Sequence, residues 1–176
     1  LLIGFVALPY ADSGTANGPA AMMFYLYAYM FANMGAFACA IAFFKNFGSY
    51  EIKDYRGLSK NSLGMSLLLS IFLLSLAGIP PLVGFFGKWY VFLAAWTDWQ
   101  WLVIVGVLTS VVALYYYANI MKQMFFDRDD VGLAKMKIDL PLAITLVITV
   151  VGTLLAGLYP EPVINFTVEA VKVFPF

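Results

Sequence analysis

Lys88 is the one charge in an apolar stretch running from Leu63 to Trp96. It follows the tetrad Gly78-Ile79-Pro80-Pro81, with Gly84 and Gly87 between. A lysine at membrane-centre depth costs at least about 2.5 kcal/mol, and such residues usually face a cavity and mark an ion route. Desolvation narrows the gap between a lysine's charged and neutral forms, which is what a proton relay needs. Pro80 and Pro81 bring no backbone N–H, so successive carbonyls before them lose their donors. Freed carbonyls and helix ends can hold water or a cation beside the lysine. Lys88 is the candidate proton-relay residue, with Gly78, Pro80, Pro81 and Gly84 as the hinge of a broken helix. Two plainer readings stay open. The ammonium can snorkel along its stem to the interface, and a proline kink can serve packing alone.

A second set of polar residues follows: Thr109, Ser110, Tyr115-Tyr116-Tyr117 and Asn119. Tyr117 follows Ala113 and Ser110 at helical spacing, which places hydroxyls on a partly polar face. Ser110, Tyr116, Tyr117 and, further on, Lys122 are the candidates for a hydroxyl-and-water path leading from Lys88. The alternatives are an interfacial tyrosine belt and, for Lys122, a boundary residue beside a basic loop. Other chemistry is thin. The sequence has no histidine, which removes His-ligated haem, most zinc sites and Ser-His or Cys-His catalysis. The one cysteine, Cys39, lies among alanines and reads as a small buried hydrophobe. Neither a metal nor a cofactor is expected in this chain.

Membrane helices must position these groups. The chain is 63% hydrophobic and 11% charged, against about 25% charged residues in soluble domains. Charge-free runs cover Ser13 to Phe44, Asn61 to Gly87, Trp99 to Met121 and Leu140 to Pro160. Each is long enough to cross the roughly 30 Å of bilayer hydrocarbon. The fold class is therefore all-α: a polytopic transmembrane helical bundle with lipid as its surroundings. Zero net charge and a few loop charges offer nothing to nucleic acid. Trp89, Trp96, Trp99 and Trp101 gather as an interfacial belt does.

The expected order begins with a partial span over 1–8, followed by a span over 20–44. A broken element then occupies 62–96, interrupted at 78–81, and further spans cover 101–125 and 140–159. As one straight helix, Leu63–Trp96 would run about 50 Å, too long for one crossing and too short for two. Irregular backbone is tolerated at that depth where protein or a cavity surrounds it. The basic residues test this independently. Lys45, Lys53, Arg56 and Lys60 occupy one loop; Arg128, Lys135 and Lys137 occupy another. The first loop and the turn at Asp98 have no Lys or Arg. A single crossing by 62–96 puts loops 45–61 and 126–139 on one face, which loop bias makes cytoplasmic, with the C-terminus opposite. Ala28, Ala32, Gly35, Ala36 and Ala40 have the small-residue spacing of close helix packing. Ser66 with Ser70, and Thr145 with Thr149 and Thr153, are read as packing and back-bonding sets. The opening Leu1–Leu8 has no Met and no basic flank, so a C-terminal piece of a longer protein is expected.

The run Ser75-Leu76-Ala77-Gly78-Ile79-Pro80-Pro81, then Gly84-Phe85-Phe86-Gly87-Lys88-Trp89-Tyr90 and Ala113-Leu114-Tyr115-Tyr116-Tyr117, resembles the C-terminal part of subunit N (subunit 2) of respiratory complex I. Tyr25-Leu26-Tyr27-Ala28-Tyr29-Met30, Asn33-Met34-Gly35-Ala36-Phe37 and Asp54-Tyr55-Arg56-Gly57-Leu58 fit the same family. The resemblance covers nearly the whole chain. It implies an antiporter-like fold of about fourteen helices when complete, with inverted repeats that each contain a broken helix. Lys88 matches the lysine on the second repeat's broken helix, on the outer half of the proton route. The implied activity is that of a proton-translocating membrane-arm subunit of NADH:quinone oxidoreductase. FMN, iron–sulfur clusters and quinone would belong to partner subunits, and the other membrane-arm subunits would be its partners. A bacterial plasma membrane is the expected location. First-repeat ionisable residues would lie upstream, so this piece alone cannot complete a channel. The runner-up is a subunit of a sodium/proton antiporter, and a third reading is a scaffold with a snorkelling Lys88.

Overall fold

The structure, a computed structural model, describes residues 2–6, 18–126 and 136–173. The expectations for the first loop up to residue 17, and for Arg128 and Lys135, lie outside the described residues. The helices are α1 (Leu2–Val6), α2 (Gly18–Phe47), α3 (Leu58–Asn61), α4 (Leu63–Ala77), α5 (Val83–Ala95), α6 (Gln100–Phe126), α7 (Leu140–Leu158) and α8 (Glu161–Val173). A 3-10 turn at Ile52–Tyr55 precedes α3, and no strand occurs among the described residues. α2, α6 and α7 are each long and apolar enough to cross a membrane, whereas α4 and α5 are shorter apolar helices.

α2 is the post around which α4, α5, α7 and α8 pack. It can serve because one face is nearly free of side-chain bulk: Ala28, Ala32, Gly35, Cys39 and Ala42 are all buried. Ala36 and Ala40, expected on the same stripe, are only half-buried. At 100° per residue they sit round the edge from the Gly35 contact. Gly35 accepts the fully buried Phe72 of α4, and a Cβ at 35 would stand 2.3 Å from the ring. Gly152 of α7 receives Phe31 of α2 in the same way. Close ring-on-backbone contacts of this kind supply the dispersion energy that membrane helices need in place of a hydrophobic drive.

The two short helices follow α2 end to end. Met65, Leu69, Phe72 and Leu73 of α4 cluster with Ala38, Cys39, Ala42 and Phe43 near the C-terminal end of α2. Val91, Ala94 and Ala95 of α5 cluster with Ala21 near its N-terminal end, and Val103 of α6 joins them. α4 and α5 therefore form one interrupted path along the bundle rather than a hairpin. The interruption falls between Ala77 and Val83, bracketing the Gly-Ile-Pro-Pro tetrad.

Loop 45–61 and the described part of loop 126–139 meet at one end. The Lys45 ammonium pairs with Asp139 at 2.8 Å. Asn46 donates from Nδ2 to the carbonyls of Ala42 (2.8 Å) and Lys137 (2.9 Å), and its Oδ1 accepts the Lys137 N–H at 2.8 Å. The Met136 N–H donates to Ser62 Oγ, and the Gly57 N–H to the Gln123 carbonyl. Tyr55 is buried with its ring stacked on Phe43, centroids 3.9 Å apart. That burial pushes the Tyr55 hydroxyl up to about 12.

The C-terminal tail forms a further helix. Pro160-Glu161-Pro162 ends α7, yet Pro162 then occupies the first turn of α8, where a missing N–H costs nothing. Val163 and Ile164 of α8 pack on Phe24, Ala28, Val83 and Ala156. Its other face, with Glu161, Phe166 and Glu169, is exposed.

Candidate functional site

The site is built by how α4 stops and α5 starts. Gly78 takes a left-handed conformation (φ 86°, ψ 44°), which a glycine adopts without steric cost. Its N–H donates to the carbonyls of Leu74 and Ser75, and the Ile79 N–H also reaches Leu74. This is a tight C-terminal cap of the kind that turns a chain sharply out of a helix. Two residues of the break are then proline, and the chain re-enters a helix at Val83. Gly84, in the first turn of α5, lies against the last turn of α4, and its N–H donates to Ser75 Oγ at 3.2 Å.

Lys88 is one turn further along α5, and its side chain doubles back. The ammonium donates to the carbonyls of Leu76 and Ala77, each at 2.9 Å. Gly78 makes room for the stem: a Cβ there would stand 3.0 Å from Lys88 Cδ. The cation thus rests on the C-terminal carbonyls of α4, the negative end of that helix's dipole. No acidic side chain among the described residues pairs with it. An ammonium has three donors, and the two carbonyls use two of them. The snorkelling alternative required the head group to run toward the interface; here it turns inward to the break.

Three cavities converge on Lys88. The first, of about 230 Å³, lies between α2, α4, α5 and α6 and is walled by Tyr25, Tyr29, Ser75, Gly84, Thr109, Ser110 and Tyr117. A second, of about 140 Å³, continues past Tyr25, Thr109 and Ser110 toward Ile3 and Gly106. Both spaces are large enough for ordered water and carry the hydroxyls that would hold it. The third, of about 300 Å³, opens on the far side of Lys88 against Ile79, Phe85, Trp89, Phe92 and Val111. Lys88 therefore stands between a hydroxyl-lined space and an apolar one.

The structure brings together Lys88, Gly78, Gly84, Ser110 and Tyr117, while Pro80 and Pro81 form the turn itself. It does not bring Tyr116 or Lys122 to these cavities. Tyr116 is 63% exposed, because one residue's rotation turns it about 100° from Tyr117. Lys122 is exposed on α6, five residues beyond Tyr117 and thus about 7.5 Å further along the axis. Four polar wall residues were not among the candidates: Tyr25, Tyr29, Ser75 and Thr109. Tyr25 and Tyr29 are one turn apart with stacked rings, centroids 5.9 Å apart. That i, i+4 spacing was the available signal. Thr153 of α7, fully buried, has an Oγ1 with no hydrogen-bond partner.

An interrupted helix that seats a lysine on its own broken end, inside a bundle of membrane-length helices, defines an integral membrane protein of the antiporter-like class. A family model described as the transmembrane part of NADH:quinone oxidoreductase and Mrp antiporter proteins matches residues 3–113, and the chain belongs to that family. It is 43% identical over 173 residues to NAD(P)H-quinone oxidoreductase subunit 2 of Prochlorococcus marinus (strain NATL2A), covering 92% of this chain and 33% of that protein. It is 38% identical over 175 residues to NADH-quinone oxidoreductase subunit N of Moorella thermoacetica, covering 99% of this chain and 36% of that protein. The chain thus spans about a third of the length of the curated relatives it matches. A chain in a structure of respiratory complex I from Thermus thermophilus with bound aureothin shares the fold, with a TM-score of 0.69 at 24% identity. That likeness covers 93% of this chain and 36% of the other.

Proposed function

We propose that this chain is the C-terminal part of a proton-translocating membrane-arm subunit of an NADH:quinone oxidoreductase, with Lys88 as its proton-exchanging group. The observation that carries the reading is the seat of Lys88. The ammonium lies at the break of an interrupted helix, unpaired by any described carboxylate, and borders a hydroxyl-lined cavity. Two of its N–H donors are committed to Leu76 and Ala77. The third can hand its proton to water held among Ser75, Ser110, Tyr25 and Tyr117. A charge arriving from a neighbouring part of the protein would shift the balance between the ammonium and the free amine, and the proton would leave or return accordingly.

Electron transfer, with its FMN, iron–sulfur clusters and quinone, belongs in this reading to partner subunits. Its partners are the remaining membrane-arm subunits and the lipid bilayer. Loops 45–61 and 126–139 face the cytoplasm of a bacterial plasma membrane, and the C-terminus lies on the opposite side. The convergence of Lys45, Asn46, Lys137 and Asp139 at one end supports placing those loops together.

The family description also names an antiporter, which supports a second reading as a cation/proton antiporter subunit. The named relatives at 38% and 43% identity are quinone oxidoreductase subunits, which favours the first. The test is proton pumping by inverted vesicles from the full-length complex carrying Lys88→Met, with assembly checked by native gel. Loss of pumping coupled to electron transfer is expected. Normal pumping in the assembled variant would make Lys88 a structural cation.

A further inference from the structure

In a continuous helix, the carbonyl of residue i accepts the N–H of residue i+4. The Leu76 carbonyl would look to residue 80 and the Ala77 carbonyl to residue 81. Both of those residues are proline, and neither has an N–H to give. The two carbonyls left without donors are the same two that receive the Lys88 ammonium, each at 2.9 Å. The flanking carbonyls are treated differently: those of Leu74 and Ser75 are taken by the N–H groups of Gly78 and Ile79. The matching is therefore residue for residue, two missing N–H groups and two carbonyls on the cation.

We infer that Pro80 and Pro81 are positioning residues for Lys88: by withholding their N–H groups they keep the Leu76 and Ala77 carbonyls open as a two-oxygen seat for its ammonium. The inference deepens the proposed role of Lys88 and rests on it only for the transport readout. A carbonyl left without a donor costs free energy, and the Lys88 ammonium supplies a donor to each of the two. The lysine, in turn, stays at the break without a carboxylate beside it. Gly157 of α7 packs closely on this turn: a Cβ there would stand 2.5 Å from the Pro81 carbonyl oxygen and 2.7 Å from the Val83 nitrogen.

The experiment replaces both prolines by alanine in the full-length complex, with Pro81→Ala alone as a second variant that restores a single N–H. Two quantities are read: the position of Lys88 Nζ by cryo-electron microscopy, and the pH profile of proton translocation in inverted vesicles. In the double variant α4 is expected to gain the lost hydrogen bonds and the ammonium to leave at least one carbonyl. Translocation should fall on the order of tenfold or more, as displaced catalytic groups commonly do, and the midpoint of its pH profile should move. In Pro81→Ala only the Ala77 contact should be lost. A merely structural role would lower yield without moving that midpoint. Lys88 remaining on both carbonyls in either variant would overturn the inference. So would an unchanged pH profile in a complex whose pumping Lys88→Met abolishes. If Lys88→Met leaves pumping normal, the proposed function fails, and the Nζ position alone still decides the seat.

Discussion

Gly84 rests directly on Ser75. Its N–H donates to the serine hydroxyl at 3.2 Å, and a Cβ at 84 would come within 1.8 Å of the Ser75 carbonyl oxygen. The first turn of α5 can approach the last turn of α4 this closely only because position 84 has no side chain. The approach sets the reach of Lys88, one turn on, back to the carbonyls of Leu76 and Ala77. Gly84→Ala is expected to force the two arms apart, costing about 1–3 kcal/mol as overpacking does, and to lower pumping in whatever complex assembles. Gly64→Ala is the control: its Cβ meets nothing within 4 Å, and alanine is favoured in a helix by about 1 kcal/mol. Thermal melts of both complexes compare them. Equal stability would sink the claim that this contact is close.

Ser110 and Tyr117 line the Lys88 cavity, whereas Tyr116 faces outward. Tyr117→Phe and Ser110→Ala should therefore slow proton translocation several-fold. Tyr116→Phe should leave it within experimental error. Rates from inverted vesicles of assembled complexes decide this. A larger effect at 116 than at 117 would mean that the water route runs outside α6.

Phe72 is fully buried against Gly35. Phe72→Ala empties that contact and should cost about 3–5 kcal/mol, in line with other buried phenylalanines cut to alanine. Gly35→Val should be as damaging from the other side, because the ring has no space to retreat into. The check is the yield of assembled complex and its melting temperature. A tolerant Gly35→Val would place α4 further from α2.

Tyr55 gives the second loop a pH dependence. Its hydroxyl is held neutral up to about 12 by burial, against 10.0 for an exposed tyrosine. A group whose folded value is raised contributes fully below the unfolded value and loses that contribution as pH climbs through the folded one. The loop should therefore loosen between about pH 10 and 12. Tyr55→Phe, which keeps the ring on Phe43, should abolish that loss. Tyrosinate absorbance, wild type minus variant, reads it directly. A step near pH 10 would show that the hydroxyl is open to water.

The break and its lysine were legible in the sequence because proline and an intramembrane charge act locally. No tertiary context is needed to see that Pro80 and Pro81 cannot continue a helix. Which faces the helices turn inward was not legible to the same degree. In lipid much of α2 and α6 is apolar all round, so helical spacing groups Tyr117 with Ser110, and Tyr25 with Tyr29, without saying which face turns inward. Packing at Gly35, Gly87 and Gly152 fixes the rotation of α2, and Gly106 seats α6 against Phe92. α8 follows the last expected span, and its Pro162 sits in the first turn, where a helix has no use for that N–H. Sequence also could not say that Lys88 would bind the carbonyls of its own broken helix, a contact set by a close approach of two arms.

The carbonyl of Gly106 accepts the hydroxyls of both Thr109 and Ser110 at 2.9 Å. Their hydrogens are spoken for, and only oxygen lone pairs remain for anything in the cavity. Water beside α6 must then point its own hydrogens at that wall, while water beside the Lys88 ammonium must offer it lone pairs. A file of molecules strung between them acquires a fixed direction, with its dipoles aligned from the lysine toward α6. Under the proposed role of Lys88, a proton would pass along such a file in one direction, and every molecule would have to reorient before the next could follow. If Lys88 exchanges protons as proposed, Thr109 and Ser110 would set the polarity of that file through their bonds to the Gly106 carbonyl.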